Sequence, residues 1–93
     1  MGDMAVTVGI FGAGKLAVER AEIQAIIEHT LADRLGDWQV LITGSQASQD
    51  WELRIVGPNG FERTYLLEEC SGEQDPLAIG RVVAAIVATT VKR

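Results

Sequence analysis

The chain has 93 residues, 47% hydrophobic and 23% charged, with a formal net charge of −5 at pH 7; that is one globular domain with a modest core. The negative charge argues against general affinity for phosphate backbones or anionic lipid. One cysteine and one histidine exclude a disulfide framework and a histidine-based metal site.

The chain begins Met-Gly-Asp-Met, acidic rather than basic, and the apolar stretch that follows is broken by Gly9, Gly12 and Gly14, so no secretory signal is expected. Residues 1–4 are expected to be disordered. Residues 5–11, Ala-Val-Thr-Val-Gly-Ile-Phe, alternate and are rich in β-formers, which suits an additional N-terminal strand weakened by Gly9.

Gly12-Ala-Gly-Lys breaks the pattern, and two phosphate-binding readings meet there. Gly9-Ile-Phe-Gly-Ala-Gly-Lys resembles a P-loop, in which backbone amides wrap a phosphate and the lysine reaches it. The match stops at Leu16, where a magnesium-holding hydroxyl is required. Gly12-x-Gly14-x-x-Ala17 resembles a dinucleotide fingerprint, but the next strand ends near Thr43-Gly44 without the required acid. The expected reading is a glycine-rich turn that joins the N-terminal strand to a helix, and the rival is an anion or nucleotide site at Gly12, Gly14 and Lys15.

Residues 16–35 read as a helix, with Leu16, Ile23, Ile27, Leu31 and Leu35 on one side and Gly36 as a left-handed cap past its end. Trp38 to Thr43 reads as a strand with Trp38, Val40 and Ile42 on one face, followed by a polar loop. Residues 51–67 then encode a β-hairpin. Pro58 suits the first central position of a type I turn, Asn59 the second, and Gly60 the left-handed position that closes a three-residue loop. Gly57 then faces Phe61, Ile55 faces Arg63, Leu53 faces Tyr65, and Trp51 faces Leu67. Arg63 is the one charge on this apolar face. Its stem is expected to pack while the guanidinium leaves at the sheet end, with an anion contact as the sharper alternative.

Glu68, Glu69, Glu73 and Asp75 form an acidic turn without the alternate spacing of a calcium loop, so they read as solvated charge before a helix. Cys70 beside these acids is a poor thiolate, and no catalytic pair with His29 is expected. Asp75-Pro76 signals a helix start. Residues 76–91 form a dry helix: Ile79, Val82, Val83, Ile86 and Thr90 share one side, Gly80, Ala84 and Ala88 recur beside it, and Arg81 is its one charge. This weakly charged stretch is too short to span a bilayer.

The expected fold is α+β in the order (β)-α-β-β-β-α: a three-stranded antiparallel meander with two helices on one face and an additional N-terminal strand in brackets. The helix–three strands–helix order resembles the double-stranded RNA-binding domain. The cations that such domains use are missing from the last helix start, Glu73-Gln-Asp-Pro, and from residues 44–50, so nucleic acid is not the expected partner.

The leading expectation is a non-catalytic, cytoplasmic protein-interaction module without cofactor or metal. It binds itself as a homodimer, or another protein, through the stripe Gly80, Ala84 and Ala88. The rival is the anion or nucleotide site at Gly12, Gly14 and Lys15, with Arg63 as a further ligand-binding candidate.

Overall fold

A computed structural model describes residues 4–12, 14–32, 34, 36–44 and 49–88. Its elements are β1 (Met4–Phe11), α1 (Lys15–Val18), α2 (Arg20–Thr30), β2 (Gly36–Gly44), β3 (Trp51–Val56), β4 (Glu62–Leu67) and α3 (Pro76–Ala88), with single 3-10 turns at Pro58–Gly60 and Glu69–Ser71. The four strands form one mixed sheet in the order β1-β2-β3-β4. The protein is therefore α+β as expected, and the bracketed N-terminal strand belongs to the sheet. The expectation for residues 1–3 lies outside the described residues, whereas Met4 already pairs with Gly36.

β1 runs parallel to β2, in unbroken register from Met4–Gly36 to Phe11–Thr43. A parallel pair needs a crossover, and α1 with α2 supplies it. β2, β3 and β4 form the antiparallel meander, and the hairpin pairs are those the sequence predicts: Trp51–Leu67, Leu53–Tyr65 and Ile55–Arg63.

Alternation directs Ile10, Trp38, Val40, Ile42, Trp51, Leu53, Ile55 and Leu67 onto one face, where they meet Leu16, Ile23, Ile27, Leu31, Ile79, Val83 and Val87 from the helices. Val6 and Val8 share that face at the sheet edge but are only partly buried. Among the described residues the other face bears no helix. There the Phe11 ring folds back over Gly9, so that a Cβ at residue 9 would lie 3.0 Å from Phe11 Cε2 and the exposed ring would have to shift slightly.

Four local expectations change. The first predicted helix is two, because the backbone turns out of helical geometry at Glu19 (φ −97°, ψ 11°), and α2 ends at Thr30 rather than near residue 35. Gly36 does not cap it. At φ 95° it opens β2 against the hairpin, where a Cβ would lie 2.7 Å from Pro58 Cγ. In the hairpin loop Asn59 itself is left-handed (φ 62°, ψ 32°) alongside Gly60 (φ 78°), so the turn is not type I at its second central position. In α3 the buried line is Ile79, Val83 and Val87; Val82 and Ile86 flank it, half-buried, and Thr90 lies outside the described residues.

Candidate interaction site

The sheet has two edges of different character. β4 carries Glu62 and Arg63, and Glu62 is ion-paired across the hairpin with Arg54. β1 carries no charge and no proline, and its eight residues run without a bulge. Among the described residues no strand pairs with its outer edge, where alternate N–H and C=O groups point outward. Charges, prolines, bulges and brevity are the devices by which edge strands avoid pairing with other chains, and β1 has none of them. The exposed Phe11 (58% of its surface) and the half-covered Val6 and Val8 lie along this strand, one on the helix-free face and two on the core face.

The glycine turn caps the same strand. Gly12 (φ 157°) and Gly14 (φ 67°) take backbone geometry that side chains resist, and they lead into the four-residue α1. Leu16 plugs the gap between the ends of β1 and β2: a Cβ on Gly12 would lie 2.7 Å from its Cδ2, and one on Gly44 3.3 Å. The turn therefore has a packing reason for its glycines. It also stands where β1 ends beside its parallel neighbour β2, the strand context that the dinucleotide fingerprint needs. The acid of that fingerprint is still missing from the end of β2.

Arg63 belongs to a different region. It lies on β4, at the far edge of the sheet from the glycine turn, in register with Ile55 and through it with Val40. Its guanidinium stands 4.7 Å from the Phe61 ring centroid, and Nη1 donates to the Glu62 carbonyl at 2.8 Å. Phe61 in turn meets Trp38 edge-on, with ring centroids 5.5 Å apart. Arg63 and the turn at Gly12, Gly14 and Lys15 thus do not converge on one pocket.

The small-residue stripe of α3 divides. Gly80 is buried against α2, where a Cβ would lie 2.6 Å from Ile26 Cγ2; Ala84 and Ala88 remain exposed. Between the two helices runs an apolar groove of about 440 Å³ lined by Ala25, Ile26, Leu77, Gly80 and Ala84, with His29, Thr30 and Arg81 on its border. One part of the stripe serves helix packing, and the rest is surface.

The acidic turn is spent on local hydrogen bonds. Glu73 Oε2 accepts from the Tyr65 hydroxyl at 2.7 Å, Glu73 Oε1 from the Glu68 amide at 3.2 Å, and Glu68 Oε1 from Ser71 Oγ at 3.1 Å. The bond to Glu73, partial burial and the charges of Glu73 and Glu68 together raise the Tyr65 pKa above 10.0. Buried Gln74 donates to the carbonyls of Gln49 (2.6 Å) and Leu67 (3.0 Å), tying the start of α3 to the ends of two other segments. Sequence reading passed over Gln74, because nothing in its neighbourhood distinguishes a buried glutamine from a turn glutamine.

Cys70 is exposed just after β4, and His29 is exposed near the C-terminal end of α2. β4 ends beside Trp51, whereas α2 ends toward Gly36, so the two lie at opposite ends of the sheet. Among the described residues no group of three or more His, Cys, Asp or Glu could hold a metal ion, and no helix is long and apolar enough to cross a membrane.

No protein-family model matches the chain, and no curated protein matches it in sequence. The fold is that of a small mixed-sheet α+β domain in which β1 stands at one edge of the sheet.

Proposed function

We propose that this chain is a non-catalytic protein-interaction module that acts in the cytoplasm as a homodimer. The observation that carries the reading is the open edge of β1: eight residues long, uncharged, without proline or bulge, and flanked by Val6, Val8 and Phe11 that remain partly exposed. Main-chain hydrogen bonding at such an edge supplies affinity for another strand, and the alternating side chains supply register. Gel filtration with light scattering tests it. A homodimer has twice the 10.0 kDa mass of the chain. A mass of one chain at high concentration removes the reading.

A second reading rests on one observation, the placement of the Gly12–Gly14 turn at the end of a parallel strand and ahead of a helix. Anions bind in that position in doubly wound folds. Nucleotide titration followed by amide shifts decides it: binding moves Gly12, Gly14 and Lys15 together, and unmoved amides retire the idea.

A further inference from the structure

Resting on the self-association proposed above, the geometry points to one arrangement of the two copies: we infer that β1 pairs antiparallel with β1 of a second copy about a two-fold axis through Val8, joining two four-stranded sheets into one of eight. Residues directly opposite in an antiparallel pair share a face, so a register that keeps the core faces together must place the axis on a residue, not between two. An axis on Val8 sets Val6 against Ile10 of the other copy and Val8 against itself. It thereby extends the core row whose edge members are half-exposed. On the helix-free face the same register sets Thr7 against Gly9 and Ala5 against Phe11.

The helices above β1 carry a matching charge order. Ile26 meets α3 at Gly80, and at about 100° per residue Arg20, Gln24 and Glu28 fall on the side of α2 turned away from α3. α2 packs over β1, the edge strand, so that side looks out past the free edge. The ridge reads cation, amide, anion, with Gln24 bonded to Glu28 at 3.1 Å. Two copies related by the two-fold axis run their α2 helices antiparallel, which turns Arg20 of each toward Glu28 of the other. A ridge of this sign pattern is self-complementary in that orientation and in no parallel one, so it selects the same axis as the strand register.

Disulfide trapping tests the arrangement, in the full chain with Cys70→Ser to remove the exposed thiol. Val8→Cys places two thiols on the axis, with Cα atoms about 4.5–5.5 Å apart and within disulfide reach. Thr7→Cys places them diagonally at about 7–8 Å, out of reach. Mild oxidation is expected to give a covalent dimer from the first variant and not from the second. Arg20→Glu is expected to raise the dimer dissociation constant by about an order of magnitude, and Arg20→Glu with Glu28→Arg to restore it. Cross-linking at Thr7 in preference to Val8, or no rescue by the charge exchange, overturns the arrangement while a two-chain mass leaves self-association standing. A single-chain mass at every concentration overturns both.

Discussion

Gly57 lies under the indole of Trp38: a Cβ on residue 57 would stand 2.4 Å from Trp38 Cζ3 and 2.7 Å from Cε3. The backbone there is extended (φ −136°, ψ −169°), so any residue could adopt it, and the barrier is space alone. The tight fit continues outward from Trp38 to Phe61 and from Phe61 to the Arg63 guanidinium. Gly57→Ala is expected to cost about 1–3 kcal/mol of stability, as overpacking of a full core does. A urea midpoint equal to that of the parent would show the Trp38 ring to have room to move.

The Gly80–Ile26 contact gives a prediction whose sign depends on the neighbour. Alanine is the better helix former by about 1 kcal/mol. In the parent chain the new methyl group meets Ile26 Cγ2, and Gly80→Ala is expected to destabilise. In an Ile26→Ala background that atom is gone, and the same change is expected to stabilise. Denaturation of the four chains of this cycle reads the coupling directly, and additive effects would contradict the close helix approach.

Tyr65 is the one tyrosine, so its titration is read without overlap from another phenol. The fold raises its pKa, which means that it favours the neutral phenol. The stabilisation is complete below the unfolded value of 10.0 and is lost as pH rises through the higher folded value. Tyrosinate absorbance is expected to appear above pH 10.0 in the native protein, and Glu73→Ala is expected to move the midpoint back toward it. An unmoved midpoint would remove Glu73 as the cause.

Gln74 donates to two backbone carbonyls, those of Gln49 and Leu67, from a buried position. Gln74→Leu keeps the bulk and leaves the Leu67 and Gln49 oxygens without this donor. The expected loss is about 1–3 kcal/mol, measured by urea denaturation. A neutral result would mean that water replaces the amide.

The hairpin was legible because its information is local. Pro58-Asn59-Gly60 sets the loop, and alternation from Trp51 to Leu67 sets the register, so the paired residues follow from counting. Its turn geometry was less legible, since Asn59 tolerates both signs of φ and only the closed loop selects one. The parallel placement of β1 could not be read from residues 5–11, because alternation marks a strand and not its partner. Gly36 looked like a helix cap because of where it falls after the apolar periodicity; its actual reason, Pro58, lies 22 positions on. For the interaction site, the uncharged run of β1 was visible in the sequence, but its significance as an edge appears only once the strand order is known. The stripe Gly80, Ala84 and Ala88 was seen as one surface, and the crossing of α2 at Ile26 divides it.

Hydrogen exchange across protein concentration tests the open edge of β1 as the point of self-association. The account predicts that β1 amides facing the free edge slow as concentration rises, while those on the outer edge of β4, where Glu62 and Arg63 stand, keep one rate. β1 amides that exchange at the same rate in dilute and concentrated protein would contradict it.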